Sequence, residues 1–238
     1  MSERSAVRIA VAFARHAATL PSARLCGVCV DVLEVAGAGV TLMSRINSGP
    51  VCSSNERTGL LENLQFSLGE GPCQDAHTSG QPVFEPDLQH MRANRWPNYT
   101  TPALAIGASG VFAFPLRSGN GRIGVLTLYQ DHPGALSDEQ TSDSLLMADI
   151  LAETILTVQA RNPSEVLSID LIDDTAHRAE VHQATGIVAV QLGVDVAEAL
   201  VRMRAYAYAH DRQVAAVAAD IVARRLQLIS DRPRQEPS

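Results

Sequence analysis

The sequence contains no lysine, so all 19 of its basic residues are arginine. Any recognition of phosphate groups must therefore come from arginine, from hydroxyl groups or from helix N-termini. The 26 acidic residues give a net charge of −7, so the net charge alone does not suggest a nucleic-acid partner. Residues 174–230 hold six arginines and six acidic residues, which makes this part of the chain the less acidic one.

Long apolar runs are also missing. No stretch approaches the roughly 20 apolar residues that a membrane-spanning helix needs. The N-terminus shows no basic region followed by an apolar run, so no secretory signal is evident. We therefore expect a cytoplasmic protein that does not enter a membrane. With 238 residues, 46% of them hydrophobic, the chain is long enough to bury a sizeable core in one or two domains.

Cysteine is scarce, with four residues that all lie in the N-terminal part: Cys26, Cys29, Cys52 and Cys73. The first two lack a second pair at metal-binding spacing, so we expect no zinc site. They fall in a helix-like apolar run, which favours buried core thiols. A G-x-G-x-x-G string at 119–124 precedes a predicted strand instead of a helix, which argues against a dinucleotide site.

Residues 1–160 predict an α+β domain with an antiparallel sheet and flanking helices. We include in it two lead helices, expected over residues 1–20 and 23–36. The clearest strands, 111–116 and 122–129, surround a Ser-Gly-Asn-Gly turn that is typical of a hairpin. Ser137 and Gln140 form a capping box that opens a long closing helix. Residues 87–107 have the composition of a loop. We assign 161–173 to a linker and 231–238 to a disordered tail.

Residues 174–230 predict an all-α bundle of three helices. Gly193 ends the first helix, and Asp195 with Glu198 opens the second. In the third, one apolar stripe consists of Val214, Val217, Ala218, Ile221 and Val222. Gly186 in the first helix and small residues in the second suggest a close approach of the two backbones.

Residues of this bundle match a known pattern: Gln183, Ala184, Gly186, Ala199, Leu200, Arg204 and Ala207. The segment resembles the ANTAR domain, an RNA-binding module of bacterial transcription antiterminators. Thr185 stands where that family usually has lysine. The resemblance implies a homodimer that binds hairpin loops in nascent transcripts. Candidate RNA contacts, in which arginine planes and tyrosine rings stack on bases, are Gln183, Thr185, Arg202, Arg204, Tyr206 and Tyr208.

Four further motifs lie at 69–76 (Gly-Glu-Gly-Pro-Cys-Gln-Asp-Ala), 95–97 (Arg-Trp-Pro), 114–116 (Phe-Pro-Leu) and 123–126 (Ile-Gly-Val-Leu). They resemble the GAF domain, a small-ligand-sensing fold, in the variant that precedes ANTAR modules in actinobacteria. We expect a small-molecule pocket between one face of the hairpin and the turn at 70–75. Its candidate residues are Cys73, Asp75, Trp96, Phe112 and Phe114.

Three functional hypotheses remain open. The first, which we favour, is a signal-responsive RNA-binding antiterminator without enzymatic activity or a metal site. The second is a redox sensor or a methionine-sulfoxide-reductase-like enzyme centred on Cys73, because a thiol in the first turn of a helix can have a lowered pKa and His77 would share its face. The structural alternative packs Cys73 beneath a tight turn. The third hypothesis is a scaffold whose helical tail only dimerises.

Overall fold

The computed structural model describes residues 9, 23–43, 48–91, 95–119, 121–161, 175–210 and 212–228. The chain divides into two compact units, residues 1–171 and 172–238. The predicted lead helix over residues 1–20, the linker and the tail lie almost wholly outside the described residues.

Among the described residues of the first unit, five antiparallel strands form a sheet in the order β2-β1-β5-β4-β3. They are β1 (Gly37–Met43), β2 (Ser48–Ser53), β3 (Val83–Glu85), β4 (Gly110–Ser118) and β5 (Gly121–Gln130). The predicted hairpin is confirmed, because β4 and β5 pair in register from Gly110 opposite Gln130 to Ser118 opposite Gly121.

Five described helices accompany this sheet: α1 (Ala23–Leu33), α2 (Glu56–Leu68), α3 (Pro72–Ser79), α4 (Thr100–Ile106) and α5 (Asp138–Arg161). The predicted capping box opens α5, since the Gln140 amide donates to Ser137 Oγ at 3.1 Å and the Ser137 amide donates to Gln140 Oε1 at 3.0 Å. Asn55 begins α2 by accepting a hydrogen bond from the Thr58 amide at 2.9 Å.

Side-chain alternation along the strands gives the sheet two different faces. The face towards α1 and α5 carries mainly aliphatic and phenylalanine side chains: Ala38, Val40, Leu42, Phe112, Phe114, Leu116, Leu126 and Leu128. The face towards α2, α3 and α4 carries smaller and more polar ones: Gly39, Thr41, Val111, Ala113, Val125, Thr127 and Tyr129. The second face is therefore the one on which polar chemistry is available.

Helix α4 lies in the segment that the sequence indicated to be a loop. Its N-terminal end is capped from a distance, because Glu70 Oε1 accepts hydrogen bonds from the backbone amides of Asn98 at 2.8 Å and Tyr99 at 3.1 Å. Pro102 falls in the first turn, where a missing amide proton is tolerated. For residues 100–106 the prediction of a loop was wrong, because the capping residue is remote in sequence.

A disulfide joins Cys26 in α1 to Cys52 in β2, with the two Cα atoms 5.9 Å apart. The expectation of a free thiol at Cys26 was therefore wrong, because α1 packs beside β2 and brings together two cysteines 26 residues apart. Cys29 is a buried thiol as predicted. It donates to the Leu25 carbonyl at 3.3 Å, and burial raises its pKa to about 12.

Three described helices form the second unit: α6 (Thr175–Leu192), α7 (Val196–Ala209) and α8 (Val214–Val222). Gly193 follows α6 with a φ of 64°, and Asp195 caps α7 by accepting from the Glu198 amide at 2.8 Å. The buried stripe of α8 is the predicted one except for the half-buried Val222, and consists of Val214, Val217, Ala218 and Ile221.

Gly186 does not have the packing role that we expected. A Cβ atom added at Gly186 would meet no atom within 4 Å, and the residue is exposed. The expectation of a close helix approach at this position was therefore wrong. The small buried residues of α7, Ala199 and Ala207, do face the interior of the unit.

Candidate ligand-binding and RNA-binding sites

The five residues predicted to line a ligand pocket lie on opposite faces of the sheet. Phe112 and Phe114 are fully buried towards α1 and α5, where Phe84 contacts both rings edge-on at centroid distances of 6.3 and 5.6 Å. Cys73 and Trp96 belong to the core on the other face. The five residues therefore do not line one pocket. Along β4, the side chains that share a face with Cys73 and Trp96 are those of Val111 and Ala113, and not the predicted Phe112 and Phe114.

Asp75 and Trp96 contact each other and hold the loop that precedes α4. The indole Nε1 of Trp96 donates to Asp75 Oδ2 at 3.1 Å. The Arg95 guanidinium lies 4.4 Å from the centroid of the Trp96 ring and 3.5 Å from the same carboxylate oxygen. Since Trp96 is only 2% exposed, these contacts describe a structural anchor.

A cluster of buried polar side chains occupies the face of the sheet below α2, α3 and α4. We call it the buried polar cluster, and its members are Thr41, Glu62, Gln65, Cys73, Tyr99, Thr127 and Tyr129. Each of them is at most 3% exposed. The burial of polar groups costs free energy, which hydrogen bonds offset.

Glu62 and Gln65 are the central residues of this cluster. The Tyr129 hydroxyl donates to Glu62 Oε1 at 2.7 Å and accepts from Gln65 Nε2 at 2.9 Å. The Thr41 hydroxyl donates to the second Glu62 oxygen. Gln65 Oε1 accepts from the backbone amide of Cys73 at 2.8 Å, which fixes the start of α3.

Two glycines make room for these long side chains. A Cβ atom at Gly39 would lie 2.6 Å from the Glu62 side chain. A Cβ atom at Gly71, whose φ is 129°, would lie 2.6 Å from Gln65 Oε1. The protein's own side chains therefore fill this face of the sheet. Sequence reasoning missed the cluster, although the alternation of Thr127 and Tyr129 along β5 was a usable signal.

Cys73 is in an environment that opposes thiol chemistry. Burial raises the pKa of its thiol well above the ordinary value, and the negative charge of Glu62 raises it further. His77 does not supply a compensating cation, because burial and the neighbouring Arg122 lower its pKa. Reactive cysteines need the opposite shift and access to solvent. The redox or enzymatic hypothesis centred on Cys73 is therefore not favoured.

We expect Cys73 to resist alkylation by iodoacetamide at pH 8 in the folded protein. Its labelling should be at least about 100-fold slower than in denaturant, because the thiol is buried and protonated. Peptide mass spectrometry after timed labelling separates Cys73 from Cys29. Labelling of folded protein at the rate of a simple thiol would contradict this account.

An open pocket of about 340 Å³ lies at one end of the sheet, beside the first turn of α2. Its polar lining includes Asn55, Arg57 and Asp131, and Tyr129 and Ala108 supply apolar surface. The pKa of Asp131 is lowered mainly by a hydrogen bond with His132 at 2.9 Å, and also by the charge of Arg57. The pocket can thus offer opposite charges to a small polar ligand. The described residues contain no cluster of potential metal ligands.

In the second unit, α7 carries most of the predicted RNA contacts. Arg202 is exposed and donates through Nε and Nη2 to Glu198 Oε1, at 3.0 and 2.8 Å. Tyr208 is 68% exposed. Tyr206 is half-buried, and its ring stacks on His210 with centroids 3.9 Å apart. Arg204 is also half-buried, and burial lowers its pKa to about 10, which leaves it charged at neutral pH.

The two predicted contacts of α6 have different surroundings. Gln183 is exposed. Thr185 is 2% exposed, and its hydroxyl donates to the Val181 carbonyl at 2.6 Å and lies 3.6 Å from Met203 Sδ. Thr185 therefore packs inside the bundle, and we leave its side chain out of the RNA-binding surface proposed below. Gly186, one turn after Gln183, adds exposed backbone.

The first unit is an antiparallel sheet with helices on both faces. A family model described as the GAF domain matches residues 8–155, and one described as the ANTAR domain matches residues 170–222. The chain belongs to the GAF-domain family and carries an ANTAR domain after its GAF domain. This combination indicates signal sensing joined to RNA-binding antitermination, and is typical of a regulator rather than an enzyme.

Solved structures are similar to the first unit in fold. The GAF domain of a phosphoenolpyruvate-protein phosphotransferase from Coxiella burnetii is 14% identical, with a TM-score of 0.52 over 67% of this chain and 96% of that one. The corresponding domain from Acinetobacter is 13% identical, with a TM-score of 0.51 over 67% and 97%. A type II free methionine-R-sulfoxide reductase from Thermoplasma acidophilum is 18% identical, with a TM-score of 0.44 over 56% and 90%. For the two GAF domains, at these identities, the likeness concerns the fold alone.

A comparison with curated proteins finds no match. Among the described residues, no single helix is long and apolar enough to cross a membrane, although the bent pair Glu180–Leu192 and Val196–Ala209 passes by length and composition alone.

Proposed function

We propose that this protein is a signal-responsive antiterminator whose ANTAR domain binds hairpin loops in nascent transcripts. The observation that carries the proposal is the ANTAR match over 170–222, on helices that expose Gln183, Arg202 and Tyr208. Arginine planes and tyrosine rings suit RNA loops, because unpaired bases offer faces for stacking and edges for hydrogen bonds. Transcripts are made in the cytoplasm, where we place the protein.

Gly186 supports this surface. A glycine inside a helix costs roughly 1 kcal/mol relative to alanine. No packing contact explains this one, since a Cβ atom would meet nothing within 4 Å. An exposed glycine beside Gln183 lets another molecule approach the helix backbone closely. We infer that this molecule is the RNA.

For the sensory part, we propose the open pocket at Arg57 and Asp131 as the small-molecule site. The buried polar cluster fills the sheet face with side chains, whereas the pocket is accessible and carries both charges. We further propose a homodimer in which the closing helix α5 forms part of the contact between the two copies. Leu145 on this helix is 44% exposed and offers an apolar side chain for that contact. A ligand that binds one dimer arrangement better would shift the population towards RNA binding. Residues 1–160, 161–173 and 174–230 are the proposed sensor, linker and RNA-binding module.

Arg202→Ala is expected to weaken RNA binding by about tenfold while the melting temperature stays unchanged, because Arg202 is exposed and its contact with Glu198 is a surface ion pair.

Arg204→Ala is expected to lower the melting temperature of the protein, because the half-buried side chain packs in the bundle. The RNA for both measurements is the species that co-purifies with the wild-type protein, identified by sequencing.

Arg117→Ala is the matched control, since Arg117 is an exposed arginine at the end of β4 in the other unit. It should change neither the affinity nor the melting temperature. Wild-type protein without co-purifying RNA would overturn the proposed function. Undiminished affinity in a folded Arg202→Ala protein would instead remove Arg202 from the binding surface.

A further inference from the structure

One carboxylate in the second unit holds two arginines from separate segments. Arg212, which lies between α7 and α8, donates from Nη2 to Asp220 Oδ2 at 2.5 Å and to the Ala216 carbonyl at 3.2 Å. Arg225, which follows α8, donates from Nε to Asp220 Oδ1 at 2.8 Å. We call Arg212, Asp220 and Arg225 the arginine clamp. The contacts fix two guanidinium groups around one side chain of α8.

The backbone around the clamp is also fixed. The Arg225 amide donates to the Asp220 carbonyl at 2.7 Å, and the Arg212 amide donates to the Ala207 carbonyl at 2.9 Å. Both arginines are therefore anchored at the main chain and at the side chain. Arginine loses considerable rotamer entropy when a ligand immobilises it. In the clamp, the contacts with Asp220 and with the backbone already restrict the two side chains, so a ligand would remove less of this entropy.

The clamp carries an excess of positive charge. Two guanidinium groups share one carboxylate, and the exposed Arg224 lies next to Arg225 in sequence. Hydrogen bonds from Arg212 and then from Arg225 lower the pKa of Asp220, so it stays ionised at neutral pH. Three arginines against one aspartate give these four side chains a charge of +2, whereas the other charged residues of 174–230, three arginines and five acids, sum to −2.

Some N–H donors of the Arg212 and Arg225 guanidinium groups form no hydrogen bond with the described residues. Each arginine donates to only one of the two carboxylate oxygens of Asp220. None of the described residues bonds to the Nη atoms of Arg225, whose side chain is 64% exposed. Forked arginine donors left open to solvent match the oxygens of a phosphate group.

We propose that the arginine clamp is a second RNA-binding site, which grips phosphate groups of the RNA backbone. Its residues are other than the predicted base-contacting residues Gln183, Arg202 and Tyr208, and the proposal rests on the proposed RNA-binding function. Asp220 is a positioning residue, and Arg212 and Arg225 supply the phosphate contacts. Such contacts add affinity and fix orientation without reading sequence.

The decisive variant is Asp220→Asn in the full-length protein. Removal of an acid from an RNA-binding surface ordinarily strengthens binding, because it lowers the electrostatic repulsion. The clamp predicts the opposite sign: about three- to tenfold weaker binding, because the guanidinium groups lose their common anchor. Glu180→Gln is the matched control, since it makes the same charge change on α6 away from any arginine contact that the structure describes. It should leave the affinity unchanged or slightly higher.

The probe is a short RNA stem-loop with a G·C stem and an adenine loop, titrated by fluorescence anisotropy over a series of salt concentrations. The double variant Arg212→Gln with Arg225→Gln should weaken binding by about tenfold or more and reduce the slope of log K against log salt by about one to two units. Arg225→Gln alone covers the case in which another variant does not fold, because the Arg225 side chain is 64% exposed.

The outcomes separate this inference from the function on which it rests. Absence of wild-type binding to the stem-loop and to the co-purifying RNA would overturn both. Wild-type binding together with an Asp220→Asn protein that binds equally or more tightly would overturn the clamp alone. An unchanged salt slope in the folded Arg225→Gln protein would also reject the phosphate contact.

Discussion

Glu62→Ala is expected to destabilise the first unit by about 3–5 kcal/mol, the combined cost of two buried hydroxyls that lose their acceptor and of the cavity that is left. Glu62 is 1% exposed, and its two carboxylate oxygens accept hydrogen bonds from Tyr129 and Thr41. The substitution leaves both hydroxyls without this acceptor in a dry site, and opens a cavity against Gly39.

The measurement is chemical denaturation followed by tryptophan fluorescence. Trp96 is the only tryptophan, and it is buried in the first unit, so its signal reports on that unit. Glu62→Gln keeps the shape of the side chain and one acceptor oxygen, so it should lower the free energy of unfolding by less than Glu62→Ala does. The exposed Glu153→Ala in α5 is the surface control and should change stability by less than about 0.5 kcal/mol. A Glu62→Ala protein within 1 kcal/mol of wild type would show that the network contributes little.

Features with a local cause could be predicted from the sequence. The hairpin at 118–121 follows from a turn of small residues, and the capping box of α5 from two side chains three residues apart. The buried stripe of α8 follows from helical periodicity. Each of these needs only neighbours within one or two turns of chain, and each was predicted at its place.

Features that depend on distant residues could not be predicted in this way. Helix α4 is capped by Glu70, which lies about 28 residues before its cap contacts. The disulfide requires α1 and β2 to lie side by side. The two faces of β4 look alike in sequence, since both are apolar. Which face meets polar residues is decided by the helices that cover it.

For the candidate RNA-binding residues, the sequence likewise does not show which side chains are exposed. The ANTAR resemblance indicates a set of positions, but it does not say which side chains reach solvent. Thr185 and Gln183 are only two residues apart, yet one is buried and the other exposed. The arginine clamp was missed because Arg212 and Asp220 are eight residues apart and Arg212 lies outside the helices.

Removal of the disulfide by Cys26→Ala with Cys52→Ala is expected to lower the stability of the first unit by about 3 kcal/mol. The bond closes a loop of 26 residues, and in the chain-entropy model a loop of that length restricts the unfolded chain by about this amount. The two cysteines are at most 1% exposed, so the substitution also removes buried contacts between α1 and β2. The Trp96 signal again follows the unit that contains the bond.

Cys29→Ala is the matched control, because it removes a buried thiol that forms no disulfide, and it should cost about 1 kcal/mol. Alkylation of the denatured, unreduced wild-type protein should modify two cysteines, Cys29 and Cys73. Because thiol–disulfide exchange needs access to a sulfur atom, a dithiol should reduce the buried bond no faster than the unit opens. Fast reduction of the folded protein, or four alkylated cysteines without reductant, would contradict a buried structural disulfide in this fold.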